Sequence, residues 1–96
     1  MTAYVLVQIE VTDPARYAVY KEMAGPTIPL YGGRYIVRGG AVEELEGEWK
    51  PGRLVIVEFP SVERAKAWHE SPEYHDARTL RHETANSKMI VVEGVG

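Results

Sequence analysis

Residues 3–11 alternate. Ala3, Val5, Val7, Ile9 and Val11 share one face of an extended chain, and Tyr4, Leu6, Gln8 and Glu10 share the other. Period-two spacing of β-branched residues predicts a strand. Thr12-Asp13-Pro14 then starts a helix, with Asp13 as N-cap and Pro14 at the first helical position, where its missing N–H costs nothing. Tyr17, Tyr20, Met23 and Ala24 recur at steps of three and four, which gives that helix an apolar stripe. Gly25-Pro26 ends it, because the residue before proline resists the α region.

Arg34–Arg38 reads as a second strand, framed by Gly32-Gly33 and Gly39-Gly40. An acidic connector follows, with Glu43, Glu44, Glu46 and Glu48, and reads as a solvated loop closing at Lys50-Pro51-Gly52. Arg53–Phe59 is rich in β-formers and predicts a third strand. Ser61 caps a helix that turns Val62, Ala65 and Trp68 inward, and Ser71-Pro72 starts a further piece reaching about Ala85. Asn86-Ser87 breaks that helix, and residues 89–95 form the last strand. The order is β-α-β-β-α-β with a broken second helix. Its expected solution is α+β and ferredoxin-like, a four-stranded antiparallel sheet with helices on one face.

Such a sheet leaves its second face open. Val5, Val7, Ile9, Val55, Val57 and Phe59 are assigned to the helix side, which leaves Leu6, Gln8, Glu10, Leu54, Ile56 and Glu58 opposite. That face is half apolar, and two copies packed face to face would bury it around a polar cavity. A homodimer is expected.

Composition narrows the classes. The 96 residues, 45% hydrophobic and 26% charged, suit one globular domain over residues 1–96. Folding at this size leaves roughly 5,500 Å² exposed out of roughly 15,700 Å², a thin core that a partner would help. The absence of cysteine excludes disulfides, a thiol nucleophile and thiolate metal sites. A net charge of −3 argues against nucleic acid as a partner. With no long apolar run and no basic leader, neither a membrane nor export is expected, and the chain reads as cytoplasmic.

Several segments together are specific. Tyr31-Gly32-Gly33-Arg34-Tyr35-Ile36-Val37-Arg38-Gly39-Gly40, Val57-Glu58-Phe59-Pro60-Ser61, Ala67-Trp68 with Ser71-Pro72-Glu73-Tyr74, and Val91-Val92-Glu93-Gly94 occur in order over nearly the whole chain. In these the sequence resembles the domain of unknown function 1330 family. The resemblance implies a dimeric α+β barrel of ferredoxin-like protomers and no established activity. Related barrels include cofactor-free monooxygenases, muconolactone isomerase-like proteins and haem-degrading enzymes. The chain departs from the family pattern at His69, where an aromatic is common, so the resemblance implies no role for this histidine.

The candidate chemistry centres on charges. Arg34 and Arg38 are four apart on a strand, which places both on one face with Ile36 between them, able to clamp a carboxylate. Glu10 or Glu58, desolvated beside them, would have a raised pKa and serve as acid or base. The alternative is a structural salt-bridge network. His69 is the one histidine considered for proton transfer, with a packed edge histidine as the alternative. His75 and His82 are seven apart on a helix, about 10 Å along its axis, too far to share one ion, and no metal site is expected. Tyr31, Trp49 and Tyr74 lie near element boundaries as pocket candidates, whereas Tyr17, Tyr20 and Trp68 have core spacing. Arg78 and Arg81 either point toward the sheet ends, where Arg81 is a further ligand-binding candidate, or are solvated or salt-bridged on the surface. The glycine pairs lack the strand-before, helix-after setting of a phosphate loop, and supply positive φ or close approach instead. Ser61, Ser71 and Ser87 are explained as caps and turns, which leaves no serine triad. The expected function is binding of a small organic acid in the barrel cavity, with cofactor-independent acid–base or oxygenase-type chemistry. A non-catalytic ligand-binding or structural homodimer is the alternative.

Overall fold

The alternating segments pair as antiparallel strands. β1 (Ala3–Val11) is central and pairs with both β3 (Arg53–Phe59) and β4 (Ala85–Glu93), while β2 (Arg34–Arg38) pairs with β3. The resulting order is β2-β3-β1-β4 in a computed structural model that describes residues 1–96. Four helices, α1 (Pro14–Ala24), α2 (Thr27–Leu30), α3 (Val62–His69) and α4 (Pro72–Thr84), complete the chain. They cover one face, making a slab of 33 × 32 × 16 Å between Cα extremes. This is the ferredoxin-like α+β fold.

The predicted caps are in place. Asp13 accepts from the Arg16 N–H, Ser61 from Arg64 and Ser71 from Tyr74, each satisfying an amide left free at a helix start. The core lies between sheet and helices and contains Val5, Val7, Ile9, Val55, Val57 and Phe59 from the strands, with Tyr17, Tyr20, Trp68 and Tyr74 above them. Gly32, at φ +79°, makes the turn into β2. At Gly33 a Cβ would collide with Phe59 and Ile28, so only glycine lets the chain approach that closely.

The helix end at Gly25-Pro26, the bounds of β4 and the β2–β3 register differ from the sequence reading. Gly25-Pro26 does not end the helical path: Gly25 stays right-handed helical, having no Cβ to meet the proline ring, and α2 adds another turn. Ile28 from that turn enters the core, while Met23 faces outward. Asn86 and Ser87 do not form a break, because β4 begins at Ala85 and pairs them with Glu10 and Ile9. The Thr84 carbonyl accepts from both Thr12 and Asp13, which ties the end of α4 to the end of β1 and sets β4 alongside β1 from its first residue. The strand stops at Glu93.

The third difference matters most. The β2–β3 register runs Arg34↔Glu58 and Tyr35↔Val57, then resumes at Val37↔Ile56 and Arg38↔Val55. Ile36 is an extra residue in a β-bulge, and one added residue exchanges the two faces for everything after it. Arg34 therefore lies with Glu58 on the open face, but Arg38 lies with Val55 on the helix side.

Candidate functional site

The bulge dissolves the expected arginine clamp. Arg34 is ion-paired with Glu58 at 2.8 Å, and its Nε donates to the same carboxylate at 2.9 Å. Ile36 is exposed at the bulge. Arg38, on the other side of the sheet, stacks over the Tyr35 ring with its guanidinium carbon 4.3 Å from the centroid. Nor do the two glutamates meet. Glu58 lies opposite Tyr4, and Glu10 is six residues further along β1, about 20 Å away at strand rise. Glu10 is exposed and accepts from Asn86 at 3.5 Å. The expected cluster of Arg34, Arg38, Glu10 and Glu58 is replaced by one Arg34–Glu58 pair.

Arg38 joins a different group. With Arg53, Lys21, Glu22 and Ala18 it lines an open groove of about 480 Å³ between α1 and the β2–β3 end of the sheet. Arg53 lies opposite Ile9 on β1, at the start of β3, and its guanidinium carbon is 5.8 Å from the Tyr17 centroid. Gly39, at φ +73°, leaves room for this guanidinium, which a Cβ there would overlap. The ion pairs of the protein are Arg16–Glu83, Arg34–Glu58 and His75–Asp76, so Lys21, Arg38 and Arg53 have no carboxylate in contact. The Arg53 Nε is buried without any hydrogen-bond partner. Three cations without an ion-pair partner thus share the groove with one carboxylate, Glu22.

Beneath this groove is a cavity of about 20 Å³, enough for one water molecule. Tyr17, Tyr20, Tyr35, Arg38 and Arg53 contribute to its lining, together with Ile28 and strand valines. Behind Tyr20 runs a buried polar chain. The Tyr20 and Tyr74 hydroxyls are 2.8 Å apart, and Arg81 donates to the Tyr74 hydroxyl. Arg81 also donates to Ser87 at 3.2 Å and contacts the His82 Nε2 at 3.1 Å. Since a guanidinium only donates, that His82 nitrogen accepts and the ring is neutral. Arg81, expected as a ligand-binding residue or else as a surface one, is 3% exposed, a buried cation held by neutral partners. Burial, reinforced by Tyr74, pushes the Tyr20 hydroxyl far above its ordinary pKa; burial also raises Tyr74, against the opposing pull of Arg81.

The remaining candidates are scattered. Tyr74 is fully buried, a member of the core rather than a boundary residue. Tyr31 donates to Glu73 at 2.8 Å under the Arg64 guanidinium, tying the end of α2 to α4. Trp49 is 62% exposed, in the acidic connector, and its Nε1 donates to Gln8 on the open face at 3.4 Å. His69 is half-buried beside a separate cavity of about 150 Å³ between α3 and β4. Burial lowers its pKa, with Arg78 and Arg81 adding to the effect. Arg78 donates to the His69 carbonyl at 2.7 Å.

Lys21, Arg53, Tyr20 and Tyr35 were not among the sequence candidates, though two carried a signal. Arg53 shares period-two phase with Val55, Val57 and Phe59, a charge at the head of a core-facing row. Lys21 is one turn beyond Tyr17 on the inward stripe of α1. Tyr35 faces inward as the alternation predicts, but its neighbourhood with Arg38 depends on the bulge.

Fold and site together define a class: a small ferredoxin-like α+β protein with a cationic groove on the helix side of its sheet. The chain belongs to the DUF1330 family, domain of unknown function, whose model matches residues 2–95. Similar solved structures include a protein of unknown function from Rhodopseudomonas palustris, 21% identical, with a TM-score of 0.78 over 99% of this chain and 83% of that one. A dimeric ferredoxin-like protein of unknown function from Jannaschia sp. CCS1 is 13% identical, with a TM-score of 0.73 over 98% of this chain and 100% of that one. SnoaB, a cofactor-independent oxygenase from Streptomyces nogalater, is 8% identical, with a TM-score of 0.67 over 99% and 94%. No curated protein matches the chain. No helix is long and apolar enough to cross a membrane.

Proposed function

We propose that the protein is a homodimer that binds a small organic acid in the groove formed by Lys21, Arg38 and Arg53. The observation that carries the binding site is the set of three cations without an ion-pair partner, which outnumber the one carboxylate in the groove, Glu22. A carboxylate accepts from the N–H groups that these cations present to the groove, and the aromatic rings of Tyr17 and Tyr35 beneath the guanidiniums flank the apolar part of the ligand. The site is on the helix side, not in the barrel cavity between two sheets.

The homodimer rests on the open face. Leu6 is flanked by Ile56 and Ile90, and Tyr4 by Val92, in a row across three strands. Ile90 and Val92 are 62% and 46% exposed, and the protomer's 6158 Å² of surface exceeds the roughly 5,500 Å² of a compact chain this size. The Jannaschia protein, of the same fold, is dimeric. Binding is favoured over turnover because Glu10, Glu58 and His69 all lie outside the groove.

Titrating butanoate into the protein and into Arg38→Gln, followed by NMR, tests the site. The variant is expected to lose about 1.5–3 kcal/mol of affinity, the scale of a charge-assisted hydrogen bond, while sedimentation still shows a dimer. An unchanged affinity, or no binding by the parent, refutes the site. A monomer at micromolar concentration refutes the dimer.

A further inference from the structure

The cavity between α3 and β4 lies apart from the cationic groove. Met89 and Val91 face inward by parity, opposite Val7 and Val5 on β1, yet both are only half-buried. The inward stripe of α3 is Val62, Ala65 and Trp68, and the alanine leaves space that a longer side chain would fill. That space measures about 150 Å³, with walls of Val5, Ala65, Trp68, Met89 and Val91. An apolar cavity of about this size holds benzene, and a water inside it would lack the several polar partners it needs. The polar lining is confined to Lys66, His69 and Glu70 at the end of α3. Lys66 and Glu70 carry opposite charges, so together they favour neither an anion nor a cation. His69 bonds to Arg78 through its backbone carbonyl, and neither ring nitrogen has a partner within the protein. The Arg53 Nε is the one enclosed side-chain atom without a partner, so the His69 nitrogens have open surface. Burial lowers the pKa of this ring, which is therefore neutral at pH 7, with one N–H and one bare nitrogen.

We propose that this cavity is a second binding site, for a small neutral phenol, with the ring between α3 and β4 and the hydroxyl donating to the bare nitrogen of His69. The volume sets the size at a single ring. The walls set its apolar character, and the thioether of Met89 adds a soft, adaptable contact for an aromatic face or edge. The neutral imidazole beside offsetting charges selects a hydroxyl over a carboxylate. The walls and the ligand both differ from those of the groove, so the two sites stand or fall separately.

The experiment titrates phenol and benzene into the intact protein, labelled with ¹³C at the methionine methyls and the histidine Cε1 atoms, and follows both by NMR. Phenol should shift the Met89 and His69 signals and leave the exposed Met23 and His75 in place, a readout that needs no variant to fold. His69→Leu should weaken phenol binding about fivefold, the scale of one neutral hydrogen bond, with benzene affinity unchanged. Ala65→Val, which fills part of the space, should weaken both compounds. Phenol that leaves Met89 and His69 unmoved, or that moves Met23 and His75 equally, overturns the inference. Equal phenol affinity in the parent and in His69→Leu overturns it as well, because the hydroxyl then bonds elsewhere.

Discussion

The two faces of this sheet are made from alternate residues of the same strands, yet they differ in almost every physical respect. On the helix side, Val5, Val7, Ile9, Val55, Val57 and Phe59 are buried, and the aromatic rings above them interlock, Trp68 over Tyr74 at 4.2 Å and beside Phe59 at 5.5 Å. On the open face, Leu6 and Ile56 are half-covered, Ile90 and Val92 are exposed, and the Arg34–Glu58 pair stands in solvent. The buried polar groups, Arg81 with Tyr74 and Tyr20, and the groove cations Lys21, Arg38 and Arg53 are on the helix side. Apolar side chains share the open face with exposed polar ones, whereas on the helix side polar groups are enclosed in apolar surface. On the proposed reading, the open face serves association and the helix side serves recognition.

Core truncation breaks the comparison hardest. Trp68→Ala removes a fully buried ring and the Nε1–H donor to Thr27, and should cost about 3–5 kcal/mol in urea denaturation. A loss below about 1 kcal/mol would show that the helix side is not the stabilising face. On the open face, Ile90→Glu should leave the isolated protomer's stability within about 0.5 kcal/mol, since the side chain is exposed there. The same change should weaken self-association on the order of 100-fold by burying an unpaired charge. A dimer unaffected in sedimentation would mean that another surface is the interface.

The smallest effect is a pH dependence confined to the helix side. His69 and His82 both have pKa values lowered by burial and by the charges of Arg78 and Arg81. The unfolded chain, with histidines near 6.5, then binds protons that the folded chain does not. Stability from these residues is complete above pH 6.5 and declines as pH falls from there toward the folded pKa values. Denaturation at pH 7.5 and 5.5 should show that decline, and the double variant His69→Gln with His82→Gln should flatten it. A parent more stable at pH 5.5 would contradict the assignment.

Much of the fold was written locally. Alternation in residues 3–11 and 53–59 marked both strands and their buried faces, because side-chain direction in a strand depends only on parity. Asp13, Ser61 and Ser71 marked three helix starts, because a cap is satisfied by an amide two or three residues away. The site was far less legible. Its members come from α1, β2 and β3, and their meeting depends on one extra residue at Ile36 that no local pattern announces.

By itself, then, the sequence determined which segments are strands, where three helices begin and which rows of valine and isoleucine face the core. Those properties come from steric and hydrogen-bonding rules acting over a few residues. Tertiary structure alone decided that Arg38 crosses to the helix side, that Asn86 and Ser87 join β4, and that Arg81 is buried among neutral partners. Each of these is set by pairing with a distant segment: β3 imposes the bulge on β2, β1 draws β4 into register, and Tyr74 with Ser87 encloses the guanidinium. A residue's own neighbours carry no record of such long-range geometry, and in this protein the candidate chemistry depends on it.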